Sequence, residues 1–154
     1  MIIEYTDQYQ ELADIFDRAV HETATSHYSQ EQIDAWAPRP IDLKSWQKRC
    51  NVKQPFVYVS EDKPVAFLEL DPDGHIDCHY VHPHYSRRGI GSELLEYALE
   101  KIVQSQLSRA YVEASHLAKG LYLKHGFKIV RENQVLKDGV VLTNWLMQKS
   151  VKRI

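Results

Sequence analysis

Tyr80-Val81-His82-Pro83-His84-Tyr85-Ser86-Arg87-Arg88-Gly89-Ile90-Gly91-Ser92-Glu93-Leu94-Leu95 is the stretch from which the rest of the chain can be placed. Ile90, Leu94, Leu95, Ala98, Leu99, Ile102 and Val103 recur at helical spacing and mark one buried face. A helix therefore begins at the two glycines, where the first backbone N–H groups have no partner within the helix. Glycine lacks a Cβ, so the chain can curl there and an anion can approach the main chain closely. The helix dipole makes this end positive, and Arg87 and Arg88 add two full charges. The segment reads as a phosphate pocket, set against the plainer reading of Gly-x-Gly as a turn. It is not a dinucleotide fingerprint, because Leu94 stands where a third glycine would be. It is not a P-loop either, since no Gly-Lys-Ser/Thr follows.

Upstream, His75 to Val81 alternates as a strand and runs into the bend at Pro83. Phe56–Ser60 and Val65–Leu70 are two more strands, with Asp71-Pro72-Asp73-Gly74 as the turn into the third. Further towards the N-terminus, Met1–Tyr5 reads as a short strand. Thr6 or Asp7 is placed to cap a helix carrying Leu12, Ile15, Phe16, Ala19 and Val20. A second helix is predicted over 27–37, with Ser29 and Gln32 as a capping box, and a third over 41–49. Downstream, Ser108–Ala114 is a strand and Ser115 starts a helix closed by Gly126. Phe127–Leu136 and Val140–Gln148 form a hairpin around Lys137-Asp138-Gly139. The order predicts one α/β (α+β) domain over residues 1–154, with a mixed, mostly antiparallel sheet of about seven strands flanked by helices.

The segment 80–95 resembles the acetyl-CoA-binding core of the GNAT N-acetyltransferase superfamily. Gly89 and Gly91 match its pattern, while Ser86 stands where Gln or Arg is usual. Ala118-Lys119-Gly120-Leu121-Tyr122-Leu123-Lys124-His125-Gly126-Phe127 resembles the family's later helix-to-strand segment, and Leu117 departs from the common Asn. The resemblance spans nearly the whole chain and points to a small bacterial branch. It implies an acetyl-CoA-dependent N-acetyltransferase that passes the acetyl group directly to a primary amine, with a small-molecule acceptor first and a protein amine second. It implies that the N–H groups of Arg87, Arg88, Gly89, Ile90, Gly91 and Ser92 hold the diphosphate. The resemblance also implies that the strand ending at Tyr80 and Val81 pairs with the pantetheine arm, in a gap between strands 75–81 and 108–114.

Acetyl transfer needs one proton removed from an ammonium and one supplied to the departing thiolate. Tyr122 is the candidate acid, since the family often places a tyrosine there; helical periodicity alone would also let it simply pack beside Leu121 and Phe127. For the base, strand alternation puts His75, Asp77, His79 and Val81 on one face and Ile76, Cys78 and Tyr80 on the other. His79 comes first because an imidazole titrates nearest neutrality. Asp77 comes second, as base or as the group that orients His79, and Glu69 third. Tyr28 and Trp36, among Glu22, Glu31 and Asp34, offer aromatic walls and acids for a cationic acceptor, or else close the core. His75, His79, His82 and His84 straddle a proline bend, and no cysteine or paired carboxylate completes a ligand set, so no metal is expected.

Composition limits the alternatives. Nineteen basic against 21 acidic residues, with no basic tract, argue against nucleic acid. No apolar run is long enough to span a bilayer, and Met1–Tyr5 carries no leader, so a cytoplasmic protein without membrane partners is expected. Cys50 and Cys78 are expected as reduced thiols. A homodimer is compatible with the sequence. A CoA-binding or interaction module without catalysis is the competing reading.

Overall fold

The computed structural model describes residues 1–151. The chain opens with β1 (Ile2–Glu4), α1 (Tyr9–Thr23) and a single 3-10 turn over Ala24–Ser26. It continues through α2 (Gln30–Trp36), α3 (Leu43–Lys53), β2 (Phe56–Ser60), β3 (Lys63–Leu70) and β4 (His75–Val81). After a second 3-10 turn at Pro83–Tyr85 come α4 (Ile90–Gln104), β5 (Arg109–Ala114), α5 (Lys119–Lys124), β6 (Lys128–Lys137) and β7 (Val140–Ser150). Among the described residues the strands form one seven-stranded sheet in the order β1-β2-β3-β4-β5-β7-β6. All neighbours are antiparallel except β4 and β5. This is the mixed, mostly antiparallel sheet that the sequence implies.

The two sheet faces are covered by different helices because β3, at the centre, is apolar on both sides. Ala66 and Leu68 pack with Leu94, Leu95, Ala98 and Ile102 of α4. Phe67 turns the other way, with Val57, onto Leu12 and Ile15 of α1 and Cys50 of α3. Such a near-continuous buried run is what a central, doubly covered strand requires.

Local chemistry sets the boundaries. Ser29 and Gln32 form the expected capping box at α2. The cap expected from Thr6 or Asp7 is not there: Gln8 is the N-cap residue of α1, and its side-chain oxygen instead accepts from the N–H groups of Thr6 and Asp7. The last helix is shorter than its sequence pattern. Ser115 Oγ accepts from Ala118 N at 3.2 Å and holds a turn ahead of α5, while Gly126 at φ 87° closes it. Asp138 and Gly139 both have positive φ, the geometry of a tight two-residue hairpin turn. Among the described residues no helix is long and apolar enough to cross a membrane.

Candidate active site

The parallel strands β4 and β5 are in register only at His75–Tyr111 and Ile76–Val112. Beyond those pairs they separate, so the side of Cys78–Val81 that faces β5 has no ladder partner. On its other side β4 pairs with β3, but Leu68 opposes His79 while Leu70 opposes Ile76. Two steps on β3 thus face three on β4, and the extra residue is a bulge at Asp77 and Cys78.

The bulge overturns the simple alternation expected for β4. His79 shares the α4 face with Leu68, whereas Cys78 and Tyr80 pack with the α1 and α3 cluster. Asp77 also turns to α3, where its Oδ2 accepts from Arg49 and from Lys53, at 3.0 and 2.7 Å. Asp77 and His79 therefore lie on opposite faces and do not touch, so Asp77 does not orient His79.

A cavity of about 400 Å3 passes through the opened strands. His79, Tyr122 and Ala118 line it on one side; His75, Asp77, Tyr80 and Glu113 line it on the other. Tyr28 and Trp36 close it above, with Val135, Leu142, Thr143 and Asn144 from the last hairpin. Tyr122 is 1% exposed, and its ring packs edge-on to Phe127 at 5.0 Å between centroids. Its hydroxyl lies 2.8 Å from Nδ1 of His79. The packing role and the polar role of this tyrosine coexist in one rotamer. Burial raises the Tyr122 phenol well above its ordinary value, so it keeps its proton. Burial also lowers His79 to about 4, and the nearby Gly91 main chain offsets only part of that. The ring is thus neutral, and its Nε2 has no hydrogen-bond partner.

The opposite wall is ionic. Arg49 clasps Glu69, which is 1% exposed, through Nε and Nη2 and also reaches Asp77. That clasp holds Glu69 in a buried ion pair outside the cavity lining, so it does not serve as a base. Lys53 bridges Asp71 and Asp77, both at 2.7 Å. His75 sits between Asp71 (3.0 Å) and Glu113 (2.5 Å). Burial works against its charged form, but the two carboxylates win and raise its pKa. Partial desolvation works against the charged form of Asp77 too, yet Lys53 and Arg49 hold its carboxyl below the usual range. Asp71, His75 and Asp77 come close enough to suggest a metal site, but the Lys53 ammonium already bonds both carboxylates.

Glu22, Glu31 and Asp34, expected near the aromatic wall, are elsewhere: Glu22 pairs with Arg18, and none of the three lines the cavity. The acids that do line it are Asp77 and Glu113, and Glu113 was missed. Its signal is present on β5, where a charge stands between the buried Val112 and Ala114 and must face the other way. Tyr28 and Trp36 do meet, edge-on at 5.3 Å, and Trp36 Nε1 donates to the Tyr80 hydroxyl at 3.1 Å. His82 and His84 are not part of the cavity and accept from Arg18 of α1.

At the start of α4 the N-cap is Gly89, φ 79°, and no side chain caps the helix. Arg87 is also left-handed, φ 61°, so two curled residues flank Arg88. A Cβ at Gly89 would meet nothing within 4 Å, which leaves open space before the first turn. The Ser92 hydroxyl is shared with His125 of the following helix, at 3.2 Å. Cys50 and Cys78 are free thiols, both raised by burial.

The acetyltransferase (GNAT) domain family matches residues 24–150. The uncharacterised N-acetyltransferase YafP of Escherichia coli is 36% identical over 140 residues, covering 91% of this chain and 88% of YafP. A GCN5-related N-acetyltransferase from Rhodopseudomonas palustris superposes with a TM-score of 0.90 at 31% identity, over 97% of this chain and 94% of that one. The PaiA N-acetyltransferase of Thermoplasma acidophilum, solved with coenzyme A, shares the fold at 18% identity and a TM-score of 0.76, over 97% and 98% of the two chains. The chain belongs to the GNAT family of acetyltransferases, enzymes that take their acetyl group from acetyl-CoA.

Proposed function

We propose that this acetyltransferase passes the acetyl group directly to the primary amine of a small molecule, with Tyr122 as the proton donor to the departing sulfur. The observation that carries this reading is the Tyr122 hydroxyl, buried in the cavity between the separated strands and bonded to a neutral imidazole. Acetyl-CoA supplies a thioester, whose acetyl carbon bonds to the neutral amine nitrogen as the carbon–sulfur bond breaks; Tyr122 protonates the sulfur so that CoA leaves as the thiol, and the proton shed by the nitrogen restores the phenol.

Two features support the reading that the expected residues hold acetyl-CoA. N–H groups from Arg87 to Ser92, uncapped by any side chain, face the open space beside Gly89 and suit a diphosphate. The main chain of Tyr80 and Val81, unpaired towards β5, can take the amides of the pantetheine arm as an added strand. On the α4 face, His79 acts as a positioning residue. With Nδ1 protonated it donates to the phenolic oxygen of Tyr122 and leaves the phenol proton free for sulfur. On the α3 face, Asp77 is a fixed anion that attracts the acceptor's ammonium.

Neither His79, at about 4, nor Asp77, held low by its cations, is tuned to remove a proton near neutrality. The acceptor therefore reacts through its neutral fraction, and the rate rises with pH towards the amine's own pKa. A cavity of about 400 Å3 walled by Tyr28 and Trp36 has the size of a small-ligand site rather than an open peptide track. The test is a panel of primary amines with the purified enzyme and acetyl-CoA, read as free CoA thiol. Amine-dependent thiol release supports the reading. Tight acetyl-CoA binding with no release from any amine would instead favour a non-catalytic CoA-binding module.

A further inference from the structure

We infer that the acceptor is an amine with no carboxylate or phosphate near its reacting nitrogen: a decarboxylated amine or a diamine, and not an amino acid. This rests on the reading above, that a small amine enters the cavity from the α3 face. Two carboxylates, Asp77 and Glu113, line that side, and among the described residues no lysine or arginine does. Asp77 uses Oδ2 for both Arg49 and Lys53, and Glu113 uses Oε2 for His75. Each retains a second oxygen with no hydrogen-bond partner among the described residues.

The cations bonded to this wall are already committed. Arg49 is spread over Glu69 and Asp77, and Lys53 over Asp71 and Asp77. Across the whole group, four carboxylates face two fixed cations and one histidine, so the wall is negative whether His75 is charged or neutral. An ammonium gains from that field. The α-carboxylate of an amino acid, one carbon from the nitrogen, would be brought out of water beside like charge with no cation to meet it. Beside this wall, Tyr28, Trp36, Val135 and Leu142 offer an uncharged surface to the body of the acceptor.

The experiment compares matched pairs with the full-length enzyme: tyramine with tyrosine, phenethylamine with phenylalanine, and tryptamine with tryptophan. The decarboxylated partner should have a kcat/KM at least about 100-fold higher wherever a pair reacts at all. Glu113→Gln should narrow that ratio about tenfold, mainly by raising KM for the amine, while acetyl-CoA affinity stays as in the parent. An amino acid acetylated within threefold of its partner, or a ratio unchanged by both Glu113→Gln and Asp77→Asn, would overturn the inference and leave the acetyltransferase reading standing. Thiol release from no member of any pair would remove the small-amine reading, and the inference with it.

Discussion

Replacing Tyr122 by Phe removes one oxygen and keeps the ring, so the edge-on contact with Phe127 survives and no cavity opens. What is lost is the 2.8 Å bond to His79. Because His79 Nε2 already lacks a partner, the buried imidazole would then have none at either nitrogen. A buried polar group left unsatisfied costs about 1–3 kcal/mol, so Tyr122→Phe should melt a few degrees lower and still fold. The kinetic loss is larger. A positioned proton donor contributes about 10²–10⁴-fold, and kcat should fall at least about 100-fold with the acetyl-CoA Kd within threefold of the parent. The readout is thiol release at saturating amine, repeated under single-turnover conditions so that slow product release does not hide the chemical step. Burial keeps the phenol protonated, so the parent should show no loss of kcat from Tyr122 ionisation up to about pH 9. His79→Gln, which retains an N–H in reach of the phenol, should keep most activity and an unchanged pH profile, whereas His79→Leu should resemble Tyr122→Phe. A Tyr122→Phe enzyme that turns over within threefold of the parent in a single turnover would refute the acid assignment.

Other outcomes follow from the same geometry. Gly89→Glu places a carboxylate in the open space before α4, where nothing lies within 4 Å, so the protein should fold and lose acetyl-CoA binding by calorimetry. Its positive φ adds about 1 kcal/mol of strain. Gly74→Ala is different: a Cβ there collides with the carbonyl oxygen of Arg109 at positive φ, and a loss of at least about 2 kcal/mol is expected in urea unfolding. For acid stability the sign is set by His79, whose folded pKa lies below its ordinary 6.5. Its contribution is complete above pH 6.5 and is lost as pH falls towards 4, by about 3 kcal/mol in all. Urea titrations at pH 7 and pH 4.5 should therefore show a steeper loss for the parent than for His79→Gln.

The sheet was legible from the chain because its strands are bounded by turn chemistry and because β3 carries an unbroken apolar run from Val65 to Leu68. The start of α4 was legible for the same reason: a helical stripe preceded by glycines leaves few alternatives. Two features were not. The bulge at Asp77–Cys78 adds one residue to β4, and every facing inferred by strict alternation across it is reversed. His79 consequently moved to the Tyr122 side and Asp77 to the α3 side. The second is the ionic wall, which depends on pairs 18 to 38 residues apart, such as Lys53–Asp71 and His75–Glu113. No local pattern announces such pairs: the docking of α3 brings Lys53 to Asp71, and the register of β4 against β5 brings His75 to Glu113. The acids near Tyr28 and Trp36 in sequence were misleading because closeness along the chain does not fix which way a side chain faces; Glu22 lies on α1 and pairs with Arg18.

The central claim is that acetyl-CoA enters between β4 and β5 with its diphosphate at the start of α4, and a crystal structure of the enzyme with CoA tests it most directly. Diphosphate oxygens should lie within hydrogen-bond distance of N–H groups between Arg87 and Ser92, the pantetheine should run along Tyr80 and Val81, and the sulfur should come within reach of the Tyr122 hydroxyl. Density for CoA on another surface, with β4 and β5 closed over the gap, would contradict the account.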